Sequence, residues 1–262
     1  MSVITLLTDF GYSDAFVGAM KGVILGICPE ARIVDLSHGI APQRIDEGAF
    51  ILRTAYHYFP DGTVHVAVVD PGVGGDRRAV IVETPRYRFV GPDNGIFAHV
   101  YAREPDSCVI SVTESRFMLP QISNTFHGRD VFAPVAAHLA QGRSVSDFGP
   151  EIDDYDAGTV TEPVVYEGGI TGHVLHTDRY GNIITNIGAS HFLETTRAKR
   201  FQIKLAGLAL DRVSASYDEA ACGAALAILD SAGLLEIAVN GGSAADRLGA
   251  APGDRVDVEV EH

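Results

Sequence analysis

Tryptophan is absent from this 262-residue chain, and cysteine and methionine occur three times each. Basic residues are outnumbered, with 20 Lys and Arg against 34 Asp and Glu and a net charge of −14. Each shortage excludes something. Cys28, Cys108 and Cys222 stand far apart with no Cys-x-x-Cys, which argues against a disulfide framework or a zinc site. Reduced thiols of a cytoplasmic protein are expected instead. Without basic patches, neither a nucleic-acid surface nor an anionic-membrane surface is expected. The acidity suits a cationic small molecule, although solubility alone accounts for it. No apolar run reaches bilayer length. The N-terminus leads into a strand without a basic n-region or a signal-peptide core, and there are no repeats or low-complexity tracts.

What remains is an ordinary globular composition, 46% hydrophobic and 21% charged, long enough for one large or two smaller domains. Up to residue 150, apolar runs of strand length alternate with helical periodicity. Strands are expected at residues 3–8, 32–36, 63–69, 79–83, 87–90 and 108–112. Helices are expected at 15–28, with Asp14 or Ser13 as N-cap, and at 46–58, 96–103 and 131–141. This alternation predicts an α/β domain with a mostly parallel sheet flanked by helices. Residues 151–166, rich in Asp, Glu, Gly and Pro, read as a linker. Residues 167–262 change to strand periodicity, with strands expected at 170–176, 182–187, 201–205, 224–229, 234–239 and 255–260. Helical signal there is short (189–195 and 244–248), so the second domain reads as mainly β, a sandwich or barrel.

The stretch from Val66 to Arg78 concentrates chemistry. A β-branched run ends in Asp70, and Pro71, Gly72, Gly74 and Gly75 lead to Arg77 and Arg78. Ligands of open α/β sheets sit outside the carboxyl ends of the strands, where this loop would stand. It is neither a dinucleotide fingerprint nor a P-loop. Asp70 and Arg77 read as a structural ion pair or as a polar pair aimed at substrate or water. Asp9 and Asp14 flank a glycine turn after the first strand. A carboxylate there takes both hydroxyls of a ribose or simply caps a turn. His127 is a single histidine that sequence alone does not bring to Asp70. His173 and His176 point to opposite faces of a strand and make a poor metal pair. Asp178 to Asn182 has hairpin-turn composition. Neither Gly-x-Ser-x-Gly nor His-Glu-x-x-His occurs. On these grounds the chain is a two-domain α/β enzyme with a polar small-molecule site, its reaction class open.

Seven motifs in order resemble a known family: Thr8-Asp9-Phe10-Gly11; Ser37-His38 with Pro42-Gln43; Asp70-Pro71-Gly72-Val73-Gly74; Gly91-Pro92-Asp93-Asn94-Gly95; Thr125-Phe126-His127-Gly128-Arg129-Asp130; Asp178-Arg179-Tyr180-Gly181-Asn182; and Ile237-Ala238-Val239-Asn240. They are similar to the S-adenosyl-L-methionine (SAM) hydroxide adenosyltransferases, relatives of the fluorinase and chlorinase. The resemblance covers nearly the whole chain. It implies an N-terminal α/β domain, a C-terminal barrel-like domain and a homotrimer whose substrate lies between the N-terminal domain of one subunit and the C-terminal domain of its neighbour. It implies hydrolysis of SAM to adenosine and L-methionine with no metal or organic cofactor. The family's Asp-Arg-His trio maps to Asp70, Arg77 and His127. Asp9 would meet the ribose hydroxyls with Asp14 nearby, and Asp178 the methionine amino group. Asn182 and Tyr180 would lie at the adenine, Ser231 at the methionine carboxylate, and Asn240 and Gly241 again at the adenine. Two departures stand out. The arginine that follows this serine in the halogenases is Ala232 here, and their aromatic near the ribose is Gln43. The rival readings are a SAM-dependent halogenase, which carries tyrosine where this chain has Asp70, and a non-catalytic adenosine- or SAM-binding protein.

Overall fold

The structure, a computed structural model, describes residues 2–261. It divides into two compact units, residues 1–160 and 161–262.

The first unit contains β1 (Val3–Thr8), α1 (Phe16–Ile27), β2 (Arg32–Ser37), α2 (Ile45–Ala55), β3 (Val64–Val68), β4 (Ala79–Glu83), β5 (Arg88–Pro92), α3 (Ala98–Arg103), β6 (Cys108–Ser111), α4 (Ala133–Ala140) and β7 (Glu151–Ile152). The seven strands form one sheet in the order β2-β1-β3-β5-β4-β6-β7. β2, β1, β3 and β5 run parallel, and β4, β6 and β7 join antiparallel. Alternation along a strand sends successive side chains to opposite faces, and two cores result. Ile4, Leu6, Val64, Val66 and Val68 pack with Met20 and Ile24 of α1 and with α4. Leu7, Ala67 and Val69 face the other side, with Leu52 of α2 and Val100 of α3. Both faces of the parallel strands are thus covered, as their unbroken apolar character requires. The β1–β2 pairing slips by one residue: Leu6 is opposite Asp35, but Leu7 is opposite Ser37.

Several sequence expectations shift here. α1 begins one residue later than expected, and its N-cap is Ala15 rather than Ser13 or Asp14, with no side-chain cap. The first helical hydrogen bond runs from Ala19 N to Ala15 O, so a carboxylate at position 14 stands one residue too early. α2 ends at Ala55 and continues as a single 3-10 turn, Tyr56–Tyr58. Residues Gly128–Phe132, expected to open a helix out of a polar turn, form a π-helical turn that runs directly into α4.

The second unit contains β8 (Val164–Tyr166), β9 (Gly169–Thr177), β10 (Ile183–Gly188), α5 (Ala189–Thr196), β11 (Phe201–Leu205), β12 (Leu208–Leu210), β13 (Val213–Ser214), β14 (Ala225–Leu229), β15 (Leu234–Val239), α6 (Ala244–Leu248) and β16 (Arg255–Val260). Its sheet runs β12-β11-β16-β9-β10-β15-β14-β13, with β8 also on β9, and forms a nearly closed barrel. The interior holds Ile170, Val174, Ile183, Ile237, Val256 and Val258 among others. The stretch 151–166 carries β7 at its start and β8 at its end. Among the described residues, no helix is long and apolar enough to cross a membrane.

Candidate active site

β3 delivers Asp70 to the carboxyl edge of the parallel sheet, and the loop that follows folds back on it. Val73 N donates to Asp70 O at 3.2 Å, and Gly75 N to Gly72 O at 3.1 Å. Gly74 has φ +77°, and a Cβ there would lie 2.1 Å from the Asn124 carbonyl oxygen. The loop therefore needs glycine at this position twice over, for its backbone angle and for its contact with the segment that carries His127. On the other side, Asn94 Nδ2 donates to Val69 O at 2.9 Å and steadies the residue before Asp70.

This folding turns Arg77 onto Asp70. Arg77 Nε donates to both carboxylate oxygens, at 2.9 and 3.0 Å, and Nη2 also donates to Oδ2. The side chains are 11% and 4% exposed. The neighbouring Arg78 goes elsewhere: its Nε reaches Asp93 Oδ2 at 2.9 Å and its Nη1 reaches Asp154 at 2.6 Å. The pairing of Asp70 with Arg77 is thereby separated from its nearest alternative.

His127 completes the cluster. Its Nδ1 lies 2.7 Å from Arg77 Nη2. A guanidinium has only donors, so Nδ1 accepts and the ring proton resides on Nε2. Burial, and then the charge of Arg77, holds this imidazole below the ordinary histidine range, while Asp70 and Asp130 pull the other way. The neutral ring follows from both observations. The segment around it is anchored by Asp130, fully buried, whose carboxylate accepts from Ser123 N at 2.8 Å and from Arg129 Nε at 2.6 Å. Burial raises the Asp130 pKa, but these donors outweigh it and the net shift is downward. Gly128 packs against Phe10 and Met20, and Phe126 meets Phe10 edge-on at 5.8 Å. Arg77 lies over the ring of Phe132 at 5.2 Å. The trio thus presents one paired carboxylate, one guanidinium and one neutral imidazole.

Asp9 stands at the end of β1, half-buried, and its Oδ2 accepts from Gln43 N at 2.8 Å. Gln43 has φ +67°, which is uncommon for a residue with a side chain. Asp14 is exposed in the loop before α1.

The candidates of the second unit cluster by local folding. Asp178 organises its own turn: Oδ1 accepts from Tyr180 N and Asn182 N, each at 2.8 Å, and Oδ2 accepts from Asn182 Nδ2 at 3.0 Å. Gly181, with φ +81°, lets Ser243 pack against the turn. Tyr180 is 78% exposed. Ser231 is exposed in the turn between β14 and β15, which Asp230 Oδ1 holds by accepting from Ala232 N and Leu234 N at 2.8 Å. Asn240 Nδ2 donates to Ala220 O at 2.7 Å, and Gly241 has φ +70°.

Sequence reasoning missed a buried pair here. Glu236, in the middle of β15, accepts from Tyr217 OH at 2.8 Å. Burial raises the Glu236 pKa, with the charges of Asp178 and Asp230 adding to the rise and Tyr217 opposing it. The available signal was a single acid within the otherwise apolar strand Leu234–Val239.

The chain matches known proteins along most of its length. Residues 4–149 match the SAM hydroxide adenosyltransferase N-terminal domain, and residues 172–257 match its C-terminal domain. The chain is 38% identical over 258 residues to the (R)-S-adenosyl-L-methionine hydrolase of Salinispora arenicola, covering 97% of each chain. It is 39% identical over 256 residues to the enzyme of that name from Thermus thermophilus, covering 95% of this chain and 96% of the other. A fluorinase from Nocardia brasiliensis is more distant, 26% identical over 290 residues, with 98% of this chain and 97% of that one covered. Among solved structures, an uncharacterized conserved protein from Thermotoga maritima superposes with a TM-score of 0.92 at 34% identity, over 97% of this chain and 99% of that one. Both domain matches and these full-length relatives lead to one conclusion: the chain belongs to the SAM hydroxide adenosyltransferase family.

Proposed function

We infer that this chain hydrolyses SAM to adenosine and L-methionine by attack of water on the ribose C5′. The observation that carries the reading is the hydrogen-bonded cluster of Asp70, Arg77 and His127 at the carboxyl edge of the parallel sheet. The sulfonium leaves as a neutral thioether, so no acid is needed at the leaving group, and the reaction as written calls for no metal or organic cofactor. What it needs is an oriented water in line with C5′ and a destination for its proton.

The trio divides these tasks. Arg77 occupies His127 Nδ1, so the imidazole presents Nε2–H and serves as a donor that holds the water oxygen. Asp70 is then the group that takes the proton. Its Oδ1 accepts a single contact from Arg77, whereas Oδ2 accepts two, so Oδ1 has the greater remaining capacity. The guanidinium stabilises hydroxide-like charge as it develops. A carboxylate at this position would repel a halide at close range, which favours water over the chemistry of the fluorinase relatives.

For substrate contacts we propose Asp9 at the ribose hydroxyls with Asp14 nearby, Asp178 at the methionine ammonium and Ser231 at its carboxylate. Asn182, Tyr180, Asn240 and Gly241 would surround the adenine. A cytoplasmic homotrimer belongs to the same reading, and a mass measurement in solution tests the trimer. The decisive experiment incubates the purified protein with SAM, with and without chloride, in water labelled with oxygen-18. Adenosine labelled in its 5′-hydroxyl, with methionine, is expected under both conditions. A halonucleoside, unchanged SAM, or adenosine without the label would each overturn the reading.

A further inference from the structure

A polar chain beside Asp9 has no part in the steps above. Lys21 Nζ of α1 donates to Asp35 Oδ2 at 2.7 Å, and Asp35 Oδ1 lies 3.2 Å from His38 Nε2. His38 Nδ1 lies 2.8 Å from Thr8 Oγ1, which itself accepts from Phe10 N at 3.2 Å. The His38 side chain is 0% exposed. Its backbone carbonyl accepts from Gly11 N at 2.8 Å.

We propose that His38 is a positioning residue for Asp9, fixing the turn that presents this carboxylate to the ribose diol. The proposal rests on the reading of Asp9 given above. Thr8, Phe10 and Gly11 are the residues that bracket Asp9, and His38 reaches all three. Its ring holds Thr8, the Thr8 oxygen holds Phe10 N, and its carbonyl holds Gly11 N. Asp9 itself is tied by Gln43 N, five residues beyond His38. With the ring proton on Nε2, the nitrogen nearer Asp35, Nδ1 accepts the Thr8 hydroxyl proton, and the Thr8 oxygen then keeps its lone pairs for Phe10 N. The Nε2–H tautomer turns that proton toward the Asp35 carboxylate, a 3.2 Å approach that falls short of hydrogen-bond geometry. Because a ribose contact is made in ground state and transition state alike, loss of this support belongs in KM rather than in kcat.

The test compares SAM with its 2′-deoxyribose analogue as substrates for the wild type, His38→Leu, His38→Asn and Thr8→Val. Adenosine and 2′-deoxyadenosine affinities are measured by calorimetry alongside. His38→Leu and Thr8→Val are expected to raise KM for SAM about tenfold with kcat within about threefold. With the deoxy analogue the penalty should shrink to about threefold, because one of the two hydroxyl contacts being positioned is already missing. His38→Asn, whose amide oxygen can accept the Thr8 hydroxyl, should recover most of the affinity. An equal penalty on both substrates would reduce His38 to a structural residue and overturn the proposal, as would unchanged KM in both variants. Thr8→Val conserves shape, so it carries the test if His38→Leu does not fold. A wild type inert toward SAM would sink the hydrolase reading instead, and the nucleoside affinities would then decide the role of His38 by the same contrast.

Discussion

Fifty residues separate Arg77 from His127, yet their side chains share a hydrogen bond; four separate Asp178 from Asn182, and their contact closes a single turn. In the first unit the trio is assembled by tertiary structure, with the strand edge, a glycine loop and a π-helical turn each contributing one group. In the second unit, one carboxylate shapes the loop that carries its neighbours. The difference teaches where each site is vulnerable. A tertiary cluster fails when any supporting element moves, whereas a local turn fails chiefly through its own residue. The chemistry also differs: the trio contains a cation and a proton-accepting group, and the Asp178 turn contains neither histidine nor arginine among its hydrogen-bond partners.

Substitutions can break this contrast, and the largest effect is expected at Asp70. Asp70→Asn keeps the shape but removes the proton acceptor and the counter-charge of Arg77, so kcat should fall by about 10²–10⁴. Asp178→Ala should instead act mainly through KM for SAM, on the order of tenfold, because the proposed contact is with a non-reacting group. Steady-state kinetics on the pair decides. Equal losses in kcat would erase the division of labour between the units.

Next in size is Gly74→Ala. With φ +77° and the Asn124 carbonyl oxygen 2.1 Å from the new Cβ, the two loops must separate. A loss of roughly 1–3 kcal/mol in stability is expected, read by denaturant unfolding, together with reduced turnover. Undiminished turnover would show that the trio does not depend on this contact.

The pH response sharpens the comparison further. His127 is held below the ordinary histidine range, so its neutral form persists as pH falls past 6.5, and activity should be lost only when Nδ1 takes a proton from solution and releases Arg77. Removing the cation with Arg77→Met leaves Asp70 to raise the His127 pKa. Proton titration by NMR should show that rise, and an unchanged value would place Arg77 outside the electrostatics of His127.

The smallest effect belongs to the second unit. Glu236 has a raised pKa, so the folded state binds more protons than the unfolded chain as pH climbs past the ordinary glutamate value of 4.5, and stability declines as pH rises through the folded value. Glu236→Gln should remove this decline while its amide oxygen still accepts from Tyr217. Tyr217→Phe should cost about 1 kcal/mol. Thermal melts across pH would test both; a decline of unchanged steepness in Glu236→Gln would assign it elsewhere.

Much of this was legible in the sequence. The unbroken apolar runs of β1 and β3, and the change of period after residue 166, reflect burial rules that act residue by residue. The short strands β12 and β13 carry too few residues for any period to register. The cap of α1 was misplaced because Ser13 and Asp14 have the right chemistry but lie outside the position that the first helical hydrogen bond selects. The meeting of His127 with Arg77 depends on how two loops pack, which no local pattern encodes, so only the resemblance brought them together. Glu236 stayed hidden because a charged residue in a strand ordinarily faces water, and here it is buried with the Tyr217 hydroxyl as its partner.

The slip between β1 and β2 has a further consequence. Strands alternate, so one extra residue inverts the parity of everything downstream. With Leu36 passed over in the pairing, His38 returns to the side of Asp35 and Thr8 instead of opposing it. Were Leu36 instead paired with Leu7 in a regular ladder, the same sequence would put the imidazole on the wrong side of the sheet. An insertion of one residue thus acts as a stored bit of architectural information, one that reading side chains alone would overlook.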